Sequence, residues 1–264
     1  MKSLLHHLAV TFQKHDLRGW VLPLLALLVW QTVTWFEWVD TRLIVPPGGV
    51  FAVAHAEMQS SAFWLGVAAS LGRDLLGFAL GSIAGIVFGC ALALSRVANS
   101  LLSPSFHVIR QISLFAWVPL LSVYLGYGEL SKLVLIALAV FYPVALSTHE
   151  GVAGIERKWL EVARVYEFNR KQFVWRLLLP AASPQIFTGL QLGLIYAWLG
   201  TIGAEFLLRS YDTIGLGETI FRGRAAFNIE LIVFGMLVVG LIGYLLSQGA
   251  MHFERQALRW RSSY

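Results

Sequence analysis

The sequence predicts an all-α polytopic membrane protein, folded as a bundle of about six transmembrane helices. Hydrophobic residues make up 57% of the 264-residue chain and charged residues only 13%, whereas about 25% of the residues in a soluble domain are charged. The mean hydropathy is +0.68. Several apolar runs reach the length of about twenty residues that a helix needs to cross a bilayer core of about 30 Å. A water-soluble fold could not bury this much apolar surface, so we expect the chain to lie in a membrane.

The predicted spans divide the chain into three parts. The spans lie at about residues 19–38, 71–94, 104–126, 131–149, 186–208 and 229–251. Residues 1–66 hold an N-terminal tail, the first span and an external connection, residues 67–251 form the core domain, and residues 252–264 form a basic tail. The connection contains Pro46-Pro47-Gly48-Gly49 and is expected to carry a short interfacial helix. No cleavage site closely follows the first apolar run, so we interpret it as a retained span and not as a signal peptide.

Lysine and arginine are distributed unequally between the two sides of the predicted bundle. Thirteen of them flank the spans on the side that carries both termini, and six lie on the opposite side. The positive-inside rule therefore predicts that both termini, including the basic tail, are cytoplasmic. The same basic loops explain the net charge of +5, so we do not expect nucleic acid as a partner.

The second predicted span carries a glycine at every fourth position. Gly77, Gly81, Gly85 and Gly89 fall on one helix face. Within lipid, small residues let two helix backbones approach closely, and this packing holds helices together. We interpret the glycines as a helix-packing face, and a role in lining a pore is the alternative.

A charged and aromatic segment of about thirty residues, GIERKWLEVARVYEFNRKQFVWRLLLPAASPQ, separates the fourth and fifth predicted spans. Trp159, Val162, Ala163 and Tyr166 recur at helical spacing, which predicts an amphipathic helix with an apolar ridge. Charged residues surround this ridge. The helix could therefore dock a partner protein or lie on anionic lipid, and the residues alone do not decide between these interpretations.

A second short helix is predicted directly after this one. Asn169 followed by Gln172 has the spacing of an N-cap residue and its capping partner. The helix is expected to continue through Phe173 and Leu177 and to end before Pro180. Together the two helices would project from the cytoplasmic side as a pair.

Polar side chains inside the predicted spans are candidates for a solute path, because such groups are costly in lipid and are usually functional. The candidates are Arg110, Ser122, Tyr142, Gln191, Tyr196, Thr201 and Glu205. Glu205 could instead be a hydrogen-bonded carboxylate that stabilises helix packing, and Arg110 could extend its charge to the membrane interface. The other candidates could each satisfy a hydrogen bond between helices.

The chain contains none of the motifs of an ATP-binding or catalytic protein. It has no Gly-x-x-x-x-Gly-Lys-Ser/Thr sequence and no Gly-Lys pair, so it cannot bind ATP through a P-loop. His149-Glu150 is not followed by the second histidine of a zinc helix, and no Gly-x-Ser-x-Gly motif occurs. We therefore expect no enzymatic activity, no metal and no cofactor in this chain.

Several motifs resemble those of permeases from binding-protein-dependent ABC importers. Glu161-Val162-Ala163, followed after the expected gap by Leu177-Leu178-Leu179-Pro180, is similar to the EAA loop of that family. Residues 117–152 resemble the third and fourth spans of its nitrate, sulfonate and taurine branch. Pro46-Pro47 and the final LRWRSSY are also similar to corresponding segments of this branch, so the resemblance covers nearly the whole chain.

The resemblance implies a permease subunit of the bacterial inner membrane that works by alternating access. The expected partners are a second permease copy, two copies of an ATPase subunit that bind ATP and Mg, an external solute-binding protein and membrane lipid. The helix pair would then be the coupling segment that contacts the ATPase. Its implied contact residues are Trp159, Glu161, Val162, Ala163, Tyr166, Glu167, Asn169 and Pro180.

The solute implied by the resemblance is a sulfonate, taurine, nitrate or a related small anion, although the same mechanism could import a heterocyclic compound. A secondary transporter or channel is an alternative from another class. It would be expected to show repeated halves and paired interrupted helices, which the sequence does not. A scaffold that only recruits a soluble partner is a third possibility.

The chain departs from the family pattern at three positions. Val162 replaces an alanine, Ser113 stands where relatives usually have proline, and Glu167 occupies the position of the glycine in the turn between the two coupling helices. Glycine adopts positive φ at almost no cost, whereas glutamate does not. We therefore expect the turn to shift toward Asn169, which tolerates the left-handed region better.

Overall fold

The computed structural model describes residues 18–36, 38–40, 44–209 and 214–258, and every regular element in them is helical. The helices are α1 Arg18–Trp35, α2 Pro47–Met58, α3 Ser61–Leu94, α4 Arg96–Ile109, α5 Val118–Leu125, α6 Glu129–Ala153, α7 Arg157–Val165, α8 Arg170–Leu207, α9 Leu216–Ala225 and α10 Ile229–Ala257. A 3₁₀ turn, Leu114–Trp117, precedes α5. Most of the final LRWRSSY motif lies outside the described residues.

Four of these helices, α3, α6, α8 and α10, are long and apolar enough to cross a membrane. A fifth span results if α4 and the segment Leu114–Leu125 are counted together, although the two pieces meet at an angle of 94°. The third predicted span is thus a broken helix and not a continuous one. The apolar part of α1, Val21–Trp35, is shorter than a span, and the count of six stays a prediction.

The structure corrects the prediction that a separate short helix ends before Pro180. Instead, α8 runs without interruption from Arg170 to Leu207 and passes through both Pro180 and Pro184. A π-helical stretch, Phe173–Leu178, directly precedes Pro180. Because a proline ring clashes with the preceding turn of an ordinary α-helix, the wider π turn explains why the helix can continue.

Helix α6 lies at the centre of the bundle, between α3 and α8. Its side chains Ile136, Val140 and Val144 are fully buried. The glycine face of α3 packs directly against these residues: a Cβ atom added at Gly85 would lie 2.9 Å from the Cβ of Val144, and one at Gly89 would lie 2.8 Å from that of Thr148. Such distances are too short for real side chains, so the two backbones can approach this closely only where α3 has glycine.

The contact between α8 and α6 follows the same principle. A Cβ at Gly189 would lie 2.6 Å from the Cβ of Ser147, and one at Gly193 would lie 3.0 Å from a methyl group of Val144. Glycines on α3 and α8 therefore hold both helices against α6. The opposite face of α3 exposes Leu76, Leu80 and other large apolar side chains, as expected for a surface that faces lipid.

Candidate functional site

Helix α7 presents most of its apolar ridge to the outside. Only Ala163 of the ridge is buried, at 5% exposure, whereas Trp159 is 48% exposed and Tyr166 is 73% exposed. Ala163 and Glu167 line a cavity of about 700 Å³ between α7 and the adjoining ends of α3, α6 and α8. Helix α7 is thus anchored to the bundle along one narrow side, and its larger apolar residues remain available.

The turn after α7 is a Schellman motif, a helix end closed by two backbone hydrogen bonds and a residue with positive φ. The N–H of Phe168 donates to the carbonyl of Ala163, and the N–H of Glu167 donates to that of Arg164, both at 3.0 Å. Glu167 itself has a φ of 51°. The expected shift of the turn toward Asn169 is therefore wrong, and glutamate occupies the left-handed position usually taken by glycine.

Asn169 cannot occupy the left-handed position because it caps α8. Its side chain accepts a hydrogen bond from the N–H of Gln172 at 2.8 Å, and the Gln172 side chain accepts one from the N–H of Asn169 at 3.1 Å. The predicted capping box is confirmed. An N-cap residue requires extended backbone, here with a φ of −69°, which excludes positive φ.

The remaining predicted coupling residues lie nearby. Trp159 of α7 and Pro180 of α8 line a second cavity, of about 490 Å³, which also contains Glu156 and Arg176. The predicted group also includes Glu161, whose side chain is exposed, and Val162, which is 43% exposed. The structure therefore brings the predicted coupling residues together at one end of the bundle, which we call the α7 end.

Three of the predicted path residues line one cavity of about 530 Å³. Arg110 lies in the bend between α4 and α5, Tyr142 projects from α6, and Tyr196 projects from α8. The other lining residues are Gln111, Ile112, Ser113, Leu114, Ala139, Pro143, Leu146, Ser147 and Leu192. We call this space the bend cavity.

The other path candidates lie elsewhere. The hydroxyl of Ser122 donates to the carbonyl of Pro119 at 2.8 Å, within its own helix. Gln191 lines a separate, mainly apolar groove of about 750 Å³ between α3, α8 and α10. The hydroxyl of Thr201 is buried and donates to the carboxylate of Asp74 at 3.3 Å.

Glu205 is the centre of a buried polar cluster at the opposite end of the bundle from α7. Its carboxylate is fully buried and accepts hydrogen bonds from Ser70 Oγ at 2.7 Å, Arg73 Nη1 at 2.6 Å and the N–H of Gly217 at 2.9 Å. Arg73 also forms an ion pair with Glu129. The cluster therefore joins α3, α6, α8 and α9 through charge-assisted hydrogen bonds.

The backbone also approaches Glu205 closely. A Cβ added at Gly217 would lie 2.6 Å from the Cβ of Glu205, so this position requires glycine. The N–H of Leu216 donates to Ser70 Oγ at 2.9 Å, which fixes the start of α9 on the same cluster. We call this end of the bundle the polar end.

Sequence reasoning found Glu205 but missed its partners. The six lysines and arginines assigned to the external side were Arg42, Arg73, Lys132, Arg209, Arg222 and Arg224. Arg73 and Lys132 instead lie within α3 and α6, and Lys132 is fully buried and pairs with Glu129 at 2.9 Å. A signal for them was present in the spacing, since Ser70, Arg73 and Asp74 lie within about one turn of a helix that is otherwise strongly apolar. Across the described ranges, no group of three or more histidine, cysteine or acidic residues could hold a metal ion.

Residues 77–252 match the family described as the binding-protein-dependent transport system inner membrane component. The chain belongs to this family. The permease is 32% identical over 248 residues to the putative aliphatic sulfonates transport permease protein SsuC of Bacillus subtilis strain 168, a match that covers 94% of this chain and 89% of the relative. It is 30% identical over 239 residues to the taurine transport system permease protein TauC of Escherichia coli strain K12, with coverages of 89% and 86%.

The fold of the permease is similar to that of a chain in an inward-facing crystal structure of the MetNI methionine ABC transporter. The TM-score is 0.63 at 18% identity, and the match covers 74% of this chain and 95% of that chain. The predicted family resemblance is confirmed. The protein is a membrane-embedded permease subunit of an ABC importer, with a role in transport and not in catalysis.

Proposed function

We propose that two copies of this permease form the path for a small organic sulfonate or a related small anion. An external binding protein delivers the solute, and two ATPase subunits drive its passage by moving the α7 end. The observation that carries the proposal is the exposed apolar ridge of α7. Its anchoring through Ala163 leaves Trp159 and Tyr166 free to contact another protein.

The chemistry of α7 favours a protein partner over a lipid surface. A helix that lies on anionic lipid has mainly basic residues on its polar face. Here Lys158 pairs with Glu156 at 2.6 Å, and Glu161 and Glu167 are exposed beside the ridge. This mixture of charges suits a complementary protein groove better than a negatively charged membrane.

The left-handed backbone at Glu167 supports the same interpretation. A non-glycine residue in this conformation destabilises the turn by roughly 1–2 kcal/mol. The Glu167 side chain is exposed and makes no hydrogen bond or ion pair within the described part of the chain that would offset this cost. We infer that the exposed Glu167 side chain contacts the ATPase.

The orientation that the proposal requires puts the α7 end in the cytoplasm. Arg73 and Lys132 belong to the buried polar cluster, and buried ion pairs should not count as loop charges. Removing these two from the six lysines and arginines on the external side leaves four, against thirteen on the cytoplasmic side. The positive-inside argument is then stronger than the sequence alone suggested.

Two substitutions that change the charge of α7 test the coupling role. We expect Glu161→Lys and Ala163→Asp to abolish ATP-driven uptake of ethanesulfonate in proteoliposomes that contain the permease, its ATPase and its binding protein. Both variants should still insert in the membrane, because neither site lies within a spanning helix. The measurements are uptake and the amount of ATPase that copurifies with the permease.

Glu150→Lys is the matched control, since Glu150 is also exposed near the α7 end but lies on α6. It should leave uptake and copurification near wild-type levels. Normal uptake by Glu161→Lys with the ATPase still bound would refute the coupling assignment. Failure of the wild-type complex to transport any small anion would refute the proposed solute class.

A further inference from the structure

Arg110 lies at the bend of the broken span, at the edge of the bend cavity. Its side chain is half-buried. Across the described ranges no carboxylate forms an ion pair with its guanidinium, and no aspartate or glutamate lines the bend cavity. A cation in this setting lacks the partner that buried charges usually have.

The depth of Arg110 argues against a charge that reaches the membrane interface. The bend cavity faces residues 139–147 of α6, which begins at Glu129 and ends at Ala153. At 1.5 Å per residue, Ala139, the first of these positions, lies about 15 Å from the start of α6, and Ser147, the last of them, lies about 9 Å from its end. An arginine at mid-depth is costly unless it faces water or binds a counterion.

The other polar side chains around the bend cavity are neutral, and each of them can donate a hydrogen bond. Tyr142 and Tyr196 contribute phenol hydroxyls, Ser113 and Ser147 contribute hydroxyls, and Gln111 contributes an amide. Leucine side chains complete the wall. A planar guanidinium surrounded by neutral donors matches an oxyanion, and the leucines match a short alkyl group.

We propose that the bend cavity is an anion subsite within the permease itself, which binds a small alkyl oxyanion such as a sulfonate through Arg110. This inference rests on the proposed function, because it places a binding site for the transported solute halfway along the path. The cavity volume of about 530 Å³ is within the usual range of a small-molecule site and leaves room for water beside the solute. Selectivity would then reside partly in the permease, in addition to the external binding protein.

Direct binding of radiolabelled ethanesulfonate to the purified permease–ATPase complex tests the subsite without requiring transport. We expect Arg110→Gln to weaken binding roughly 10- to 100-fold, the range expected for losing a charged hydrogen-bonding partner. Arg110→Lys should retain part of the affinity, and Tyr196→Phe should lose roughly 3- to 10-fold. Dimethyl sulfone, a neutral molecule of similar shape to methanesulfonate, should not compete, whereas methanesulfonate should.

Arg96→Gln is the matched control, because Arg96 begins the same helix α4 but is exposed and outside the bend cavity. It should bind ethanesulfonate like the wild type. The subsite is refuted if Arg110→Gln binds like Arg96→Gln, or if dimethyl sulfone competes as well as methanesulfonate. The proposed function fails separately if the wild-type complex binds ethanesulfonate but shows no ATP-driven uptake of it.

Discussion

Replacement of Glu205 by alanine is expected to destabilise the permease strongly. The carboxylate accepts hydrogen bonds from three donors, Ser70, Arg73 and the N–H of Gly217, and is fully buried. Its removal leaves Arg73, whose side chain is only 11% exposed, without its buried partner. Breaking a buried ion pair in this way costs about 3–5 kcal/mol in the free energy of unfolding. For a chain of this size, that loss corresponds to a fall in melting temperature of roughly 6–20 °C.

The assay is thermal denaturation of the detergent-purified permease, followed by the loss of the monodisperse peak in size-exclusion chromatography. Glu150→Ala serves as the control because Glu150 is exposed, and its melting temperature should change by less than about 2 °C. The double variant Glu205→Ala with Arg73→Ala should lose less stability than the sum of the two single variants. A small shift for Glu205→Ala, or strict additivity in the double variant, would refute a role of this ion pair in stability.

Two further predictions concern backbone positions. Glu167→Gly should remove the left-handed penalty, stabilise the turn after α7 by about 1 kcal/mol and slow its amide hydrogen exchange, and unchanged exchange would argue against strain there. Gly85→Ala should lower the melting temperature by forcing α3 away from Val144, whereas Gly72→Ala on the same helix has open space around its Cβ and should not. Equal effects of the two alanine substitutions would contradict the assigned packing face.

The features that local sequence predicts well are those produced by neighbouring residues. The apolar runs of α3, α6, α8 and α10 follow from composition over a window of about twenty residues. The capping box of Asn169 and Gln172 is likewise local, since the two residues are three positions apart. The same capping box should have excluded Asn169 as the left-handed residue, because one residue cannot adopt both conformations.

The features that the sequence hid depend on contacts between distant positions. Ser70 and Glu205 are 135 positions apart, and no local pattern pairs them. Proline usually ends a helix, so the passage of α8 through Pro180 could not be predicted without the π stretch before it. The 94° bend beside Arg110 was hidden because α4 and the segment Leu114–Leu125 are together long and apolar enough to resemble one continuous span.

Because α8 is one unbroken helix, a displacement of one of its ends is transmitted to the other end. Its 38 residues span about 57 Å. The close contact of Gly189 and Gly193 with α6 is the point about which α8 would tilt. Measured from the midpoint between Gly189 and Gly193, the arm to Arg170 is about one and a half times as long as the arm to Glu205. A sideways displacement of about 2 Å where α7 joins α8 would therefore move Glu205 by about 1.3 Å in the opposite direction. Such a movement would strain the three hydrogen bonds that Glu205 accepts from Ser70, Arg73 and Gly217, so a displacement at the α7 end would weaken the contacts between helices at the opposite end of the bundle.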